Sequence, residues 1–207
     1  MSHLTIPTDP GYFEISVFPR RIVGKSESPA SFVTHFQEFS GQRFEWSVTL
    51  PALKRADAQE WTAFFDQANL LSNTFNLGPE PETSPLGTGG SGGNQRVSNA
   101  SGATLTGSSV STIDWGANLE KVMKKGDFFQ IHSGASAEIK RMAADATTDG
   151  SGDVLLTFFP KLRTAAVAFE TITITSPVGA FRLAQQVQYN VNTDRLWEFP
   201  FAIVEAF

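Results

Sequence analysis

The sequence contains no cysteine, and only three of its 207 residues are histidines. Without thiols the chain can form no disulfide scaffold, no thiolate nucleophile and no thiolate-bound zinc or iron–sulfur site. His3, His35 and His132 are the only side chains that ordinarily titrate near neutral pH, and none has the spacing of a metal-binding pair. We therefore expect no bound metal, no cofactor and no catalytic histidine.

Long apolar runs are also missing. No run approaches the ~20 residues that span a bilayer, and residues 1–10 lack the order of a secretion signal, in which basic residues precede apolar ones. We expect no membrane insertion. The net charge of −5 argues against a nucleic-acid-binding surface, because such surfaces use Lys and Arg to neutralise phosphates.

Few residues are candidates for chemistry. Asp145, Asp149 and Asp153 could offer oxygens to calcium, but no further acidic residue completes a known calcium loop, so turn formation is the better interpretation. No serine stands in a nucleophile-elbow motif. A hydrolase site using Asp127 or Glu138 stays open, because that hypothesis depends on a distance in space. We predict that the chain is not an enzyme.

What the sequence does have is alternation of apolar and polar residues, with 18 phenylalanines and only two tyrosines. In residues 43–50, Phe44, Trp46 and Val48 share one face of a predicted strand, which Pro51 ends. A strand at residues 12–18 is expected to end at Pro19. Further strands are predicted at residues 74–77, 97–98, 127–132, 137–142, 154–159, 171–176 and 181–184.

The last twelve residues also alternate, and they are too hydrophobic to form a loose tail. The apolar positions of this predicted strand are Trp197, Phe199, Phe201, Ile203 and Phe207. We expect this strand to be paired, either within the fold or within an assembly.

One segment has helical rather than strand periodicity. Five apolar residues recur at helical spacing along one side, namely Ala58, Trp61, Phe64, Phe65 and Ala68. Asp57, with Glu60 three residues later, is a plausible N-terminal cap for this helix.

Residues 79–94 are rich in Gly, Pro, Ser and Thr, and they contain GTGGSGG at residues 87–93. This composition is typical of a flexible linker, and the glycines lack the Lys-Ser/Thr of a phosphate-binding loop. Residues 149–153 are predicted to form a hairpin turn. Residues 94–176 hold eight acidic and eight basic residues, whereas the flanking segments hold 13 acidic and eight basic ones.

These observations predict a mainly β protein with one helix. A discontinuous platform domain of β-sandwich or barrel type would comprise residues 1–78 and 177–207. Residues 79–94 would be the linker, and residues 95–176 would form an inserted small β-barrel.

The order of several short segments resembles that of a known family. RFEWSVTLPAL (residues 43–53) is followed by the helix ADAQEWTAFFDQA, the Gly-rich crossing and GDFFQI (residues 126–131). LLTFFPKLR (residues 155–163), FRLA (residues 181–184) and the terminal FAIVEAF come next. In this order the chain is similar to the distal tail proteins of long-tailed, siphovirus-type bacteriophages, in their short form with an inserted barrel.

The resemblance implies a structural virion protein that is made in the host bacterial cytoplasm and located at the tail tip. Copies would form a homo-hexameric ring between the tail tube protein and the baseplate hub protein, with the tape measure protein and tail fibres as further partners. The insert would resemble an oligonucleotide/oligosaccharide-binding (OB) barrel, and DNA would only pass through the open centre. An acidic platform suits such a channel, because like charges repel the phosphates.

Two alternatives stay open at this point. The chain could be a carbohydrate-binding accessory tail protein that contacts the host envelope, with Trp115 and Phe129 as sugar contacts, although core positions suit both rings better. It could also be another ring-forming tail protein, a tube or terminator subunit. In the main hypothesis, the alternating aromatic strands at residues 43–50 and 196–207 are buried between subunits of the ring.

Overall fold

The computed structural model describes residues 2–8, 14–69, 71–89, 94–100 and 102–206. About 40% of the chain lies in strands, and α1 (Arg55–Ala68) is the one α-helix in the described ranges. The predicted mainly β fold of sandwich or barrel type with one helix is therefore confirmed. No helix in the described ranges is both long and apolar enough to cross a bilayer.

The strands of the described ranges, in chain order, are β1 (His3–Leu4), β2 (Glu14–Glu27), β3 (Thr34–Thr49), β4 (Thr74–Leu77), β5 (Arg96–Val97), β6 (Ser109–Ile113), β7 (Phe128–Ile131), β8 (Glu138–Met142), β9 (Val154–Phe159), β10 (Gly179–Leu183), β11 (Asn190–Val191), β12 (Trp197–Glu198) and β13 (Pro200–Glu205).

A six-stranded sheet joins the two ends of the chain. Its order is β1-β4-β10-β13-β3-β2, so β13 lies between β3 and β10. A second, five-stranded sheet has the order β5-β6-β9-β8-β7 and comes entirely from the middle of the chain, while β11 and β12 form a small ribbon. The strands divide between the sheets at the boundaries given above for the platform and the insert. The division into two domains, and the OB-like form of the second, stay predictions.

Helix α1 packs on one face of the six-stranded sheet, which we call the inner face. All five residues of the predicted apolar stripe, from Ala58 to Ala68, are buried there. Trp61 and Phe65 contact Phe201, and Phe64 meets the ring of Phe75 edge-on. Each fully buried large side chain contributes roughly 1.5–3 kcal/mol, so this aromatic layer holds helix and sheet together.

The second sheet surrounds a core of its own. Trp115, Val110, Phe129, Ile131 and Leu156 are among its fully buried residues. The two sheets also touch each other. Phe44 on β3 lies against Phe128 and Phe159, with ring centroids 6.1 and 5.4 Å apart.

Several sequence predictions require correction. Strand β2 does not end at Pro19 but continues to Glu27. This is possible because β2 is an edge strand, where a missing backbone N–H costs least. The helix begins at Arg55 after Lys54, with no side-chain cap, so Asp57 lies in the first turn and is not the cap.

The second sheet differs from prediction in two places. Residues 171–176 form isolated bridges, at Thr171 and Thr173, instead of a strand. Strand β6 was not predicted at all. The turn at residues 149–153 is present, because the Asp149 carboxylate accepts the N–H groups of Ser151 and Asp153.

The predicted linker is packed, as far as residue 89, against the second sheet. The Asp127 carboxylate accepts the backbone N–H groups of Leu86 and Gly87, and Gly89 donates to the carbonyl of Val122. A Cβ at Gly87 would lie 2.4 Å from that carbonyl oxygen, so only glycine fits. Residues 90–93 lie outside the described residues. These hydrogen bonds hold residues 86–89 in place, and the assignment of residues 79–94 as a linker stays a prediction.

Candidate functional site

The most prominent surface feature is a long hairpin arm, which we define as residues 18–43. Strands β2 and β3 pair with each other along almost their whole length, but β13 pairs only with Glu45–Thr49 of β3. Beyond Glu45 the two strands therefore extend past the sheet as a two-stranded ribbon. Phe32 closes its end in a left-handed conformation, φ 55°, and donates to the carbonyl of Ser28.

The arm carries a concentration of exposed apolar side chains. Seven of the fourteen exposed large hydrophobic residues in the described ranges lie on it, namely Phe18, Ile22, Val23, Phe32, Val33, Phe36 and Phe39. Phe32 is 77% exposed and Phe36 is 71% exposed. A concentration of exposed apolar side chains of this kind is typical of an interaction site.

Two glycines shape the middle of the arm. The hairpin register shifts between Arg21 and Val23, so Ile22 faces a bulge in β3. A Cβ at Gly41 would lie 2.6 Å from Cδ1 of Ile22, and a Cβ at Gly24 would lie 3.2 Å from the ring of Phe39. The glycines let these two apolar side chains lie flat across the ribbon.

The charged groups of the arm are paired locally. Arg21 and Glu38 are 3.1 Å apart, and Lys25 and Glu27 are 3.0 Å apart, all on exposed side chains. Such pairs contribute little to stability. They do keep the carboxylates of the arm neutralised, which reduces repulsion when another surface approaches.

Strand β2 is also an edge. It is the last strand of the six-stranded sheet and has β3 as its only neighbour in the described ranges. Its outer backbone N–H and C=O groups are therefore available to another strand. Pro19, Lys25 and the register shift between Arg21 and Val23 are features that protect such edges, so the edge alone does not indicate pairing with a strand of a further chain.

The aromatic strands named from the sequence do not provide this interface. Six of their residues are buried inside the chain itself, namely Phe44, Trp46, Val48, Phe199, Phe201 and Ile203. Trp197 is partly buried against the same core, and Phe207 lies outside the described residues. The hypothesis that these rings are buried between subunits is therefore wrong for the six core residues, because α1 and the second sheet already cover them.

The spacing of apolar residues in the sequence does not reveal the arm. Phe32, Phe36 and Phe39 follow a spacing of four and three residues, which is typical of a helix and does not indicate a strand. The register shift in the hairpin explains the irregular spacing. Only the pairing of β2 with β3 shows that the three rings lie on one exposed ribbon.

The two proposed sugar contacts have no exposed surface. Trp115 and Phe129 are both fully buried. The Trp115 Nε1 donates to the Thr112 hydroxyl at 2.8 Å, and Phe129 meets Phe158 edge-on. A ring without an exposed face cannot stack on a sugar, so these residues belong to the core of the second sheet.

The two carboxylates considered for hydrolysis do not come together. Asp127 precedes β7 and faces the end of β8, where its carbonyl accepts from Met142, whereas Glu138 begins β8. Four residues of strand separate the two ends by roughly 13 Å. The Asp127 carboxylate is occupied by three backbone N–H groups, those of Leu86, Gly87 and Lys124. Within the described ranges, no three His, Asp or Glu side chains cluster as metal ligands.

Glu138 instead belongs to a buried ionic cluster with Lys140, Arg163 and Glu205. Lys140 Nζ lies 2.7 Å from Glu138 Oε2, and Arg163 Nη2 lies 2.5 Å from Glu205 Oε1. Lys140 is completely buried, and Glu138 and Glu205 are almost so. Glu205 also accepts the N–H of Phe44 at 2.8 Å. The cluster therefore joins β13 of the first sheet to β8 of the second.

Burial dominates the ionisation of this cluster. It raises the pKa of Glu205 and lowers the pKa of Lys140, because each charged form loses hydration. Burial would also raise the pKa of Glu138, but the charge and hydrogen bond of Lys140 outweigh it and hold that pKa below its usual value. Two basic and two acidic side chains thus pair with each other between β8 and β13.

Comparison with models of known protein families finds no match. None of the curated proteins is detectably similar to this chain in sequence.

Proposed function

We propose that this chain is a structural subunit that assembles with copies of itself through the hairpin arm, into the ring of a bacteriophage tail tip. The observation that carries the proposal is the exposed apolar surface of the arm. A purely mechanical role uses no catalytic group.

The size of the arm surface supports a stable contact. The fractional exposures of its seven apolar residues add up to about four complete side chains. At 150–250 Å² for a large side chain, this is roughly 700 Å² of apolar surface. A standard interface buries about 800 Å² on each partner, so the two faces of the arm together offer an apolar area of comparable size.

The order of the strands in the two sheets is consistent with the arrangement that the resemblance to distal tail proteins implies. Both ends of the chain contribute to the six-stranded sheet, and the middle of the chain forms the second sheet. The resemblance implies such an arrangement, with a ring-forming platform and an outward insert. In the proposed ring, the platform contacts the tail tube and the baseplate hub, and DNA passes through the centre.

Light scattering coupled to size-exclusion chromatography tests the proposal on the full chain. We expect a single species with a mass of several subunits. A variant with Phe32→Ser, Phe36→Ser and Phe39→Ser should elute as a monomer, because its contact surface loses three large apolar side chains.

The matched control changes exposed apolar residues outside the arm, Leu155→Ser and Val167→Ser, which are 53% and 62% exposed. This control should assemble like the wild type. A wild type that stays monomeric at high concentration, or an arm variant that assembles unchanged, contradicts the proposal.

The arm does not distinguish a tail-tip ring from the tube or terminator alternative. The five-stranded second sheet favours a tail-tip ring, because a simple tube subunit would not need an insert. The carbohydrate-binding alternative loses its two named residues, because both are buried.

A further inference from the structure

The face of the six-stranded sheet opposite α1, which we call the outer face, has no helix over it. Residues on β3 alternate between the faces, so Arg43, Glu45, Ser47 and Thr49 point outward while Phe44, Trp46 and Val48 point into the core. An open hollow of about 450 Å³ lies on the outer face. We call it the arginine hollow.

Three arginines surround this hollow. Arg20 comes from β2, Arg43 from β3 and Arg182 from β10, and Val204 and Ala184 also line it. The strand register aligns Glu45 with Val204 and Val204 with Arg182. Neighbouring strands lie 4.7–4.9 Å apart, so the backbone of Arg182 lies roughly 10 Å from the backbone of Glu45. Val204 lies between them and forms the floor of the hollow.

A single carboxylate serves two of the arginines. Arg20 Nη1 lies 3.0 Å from Glu45 Oε2, and Arg43 Nη2 lies 2.5 Å from Glu45 Oε1. Burial would raise the pKa of Glu45, but the hydrogen bonds and charges of Arg43 and Arg20 outweigh it and hold this pKa below its usual value. Glu45 is therefore ionised at neutral pH.

Arg182 makes no ion pair with any described residue. Three positive charges thus face one negative charge, which leaves an excess of two. Guanidinium groups match phosphate oxygens in geometry and bind them through paired hydrogen bonds. A phosphate group with two negative charges would neutralise the hollow.

A second open hollow, of about 770 Å³, adjoins the first and shares Leu71 and Ala184 with it. We call it the amide hollow, because exposed amide side chains line it, those of Gln185, Gln186, Gln188 and Asn190. Ser47, Thr49 and Ala202 also line it, so small side chains leave room for a ligand. Amides both donate and accept hydrogen bonds, as the hydroxyl groups of a sugar require.

We propose that the two hollows form one binding site for a phosphorylated saccharide, with the phosphate among Arg20, Arg43 and Arg182 and the sugar hydroxyls against the amides. Arg20 and Arg43 lie at the base of the hairpin arm, but none of the seven exposed apolar residues of the arm lines either hollow, so binding and self-assembly can be tested separately. It also differs from the earlier sugar hypothesis, whose two rings are buried in the second sheet.

Isothermal titration calorimetry on the full chain tests this with glucose 6-phosphate, inorganic phosphate and glucose as probes. We expect glucose 6-phosphate to bind at least tenfold more tightly than inorganic phosphate, and glucose alone to give no heat. Arg182→Gln should weaken binding of both phosphate probes by at least tenfold, because a charged hydrogen-bonding partner is lost. Gln186→Ala should weaken only glucose 6-phosphate.

Arg55→Gln is the matched control, because Arg55 is an exposed arginine at the start of α1, which packs on the opposite face of the sheet. It should bind like the wild type, and circular dichroism should show all variants folded. Absence of binding to the wild type, or equal loss in Arg55→Gln and Arg182→Gln, overturns the site. Equal affinity for glucose 6-phosphate and inorganic phosphate, or tighter binding of a single-stranded oligonucleotide, overturns the saccharide assignment.

Discussion

The buried ionic cluster between the two sheets allows a sharp prediction for Lys140→Met. Methionine has a similar volume and no charge, so the substitution leaves Glu138 and Glu205 buried with Arg163 as the only cation. Removing one partner of a buried ion pair costs about 3–5 kcal/mol, because the remaining charge is left without hydration or a partner. Domains of this size have total stabilities of about 5–15 kcal/mol, so the loss is a large fraction.

A second substitution separates lost charge from lost packing. In Lys140→Met/Glu138→Gln the unpaired carboxylate is removed. The two Glu138 oxygens accept the N–H groups of Arg163 and Thr164, and the single Gln oxygen can still accept one of them. We expect this double variant to recover most of the stability, to within about 1–2 kcal/mol of the wild type, because neutral replacements of buried pairs are tolerated.

Urea denaturation measures these differences through the fluorescence of the four tryptophans. Lys121→Met is the control, because Lys121 lies 3.6 Å from Asp145 on exposed side chains and should change stability by less than about 1 kcal/mol. A Lys140→Met variant as stable as this control would refute the reasoning. So would a double variant no more stable than the single one.

Three further predictions concern other parts of the chain. Because the pKa of Glu138 is lowered in the folded state, its ionised carboxylate stabilises the fold above about pH 4.5. This stabilisation is lost as the pH falls through the folded-state pKa. Glu138→Gln should therefore make the free energy of unfolding less dependent on pH in this acid range. Gly87→Ala should cost about 1–3 kcal/mol in denaturant unfolding, because its Cβ would strike the Val122 carbonyl; a neutral effect would mean that this segment is loose. Trp115→Ala should cost about 3–5 kcal/mol by the same assay and leave glucose 6-phosphate binding to the folded protein unchanged, in contrast to Arg182→Gln.

The sequence correctly predicted the strand and the helix whose apolar residues recur at one regular spacing. The alternation of Phe44, Trp46 and Val48 correctly predicted the inward face of β3, and the spacing from Ala58 to Ala68 correctly predicted the buried side of α1. Pro19 was misleading, because the effect of a proline depends on whether its strand lies at an edge, and neighbouring strands are not visible in sequence.

The surfaces and the cluster could not be predicted because they depend on pairing between distant segments. Glu205 and Lys140 are 65 residues apart and meet only because the two sheets are in contact. Arg20, Arg43 and Arg182 surround one hollow only because β13 lies between β3 and β10. Alternation also fails to show whether an apolar face is covered by the chain itself or by another copy, so it does not distinguish the core strands β3 and β13 from an assembly surface.

The most direct test of the central claim is an electron cryo-microscopy reconstruction of the assembled wild-type protein. The account predicts a closed ring in which the arm of each subunit, including Phe32 and Phe36, is buried against the neighbouring subunit. A particle that is a single subunit, or a ring whose arms project freely into solvent, would contradict it.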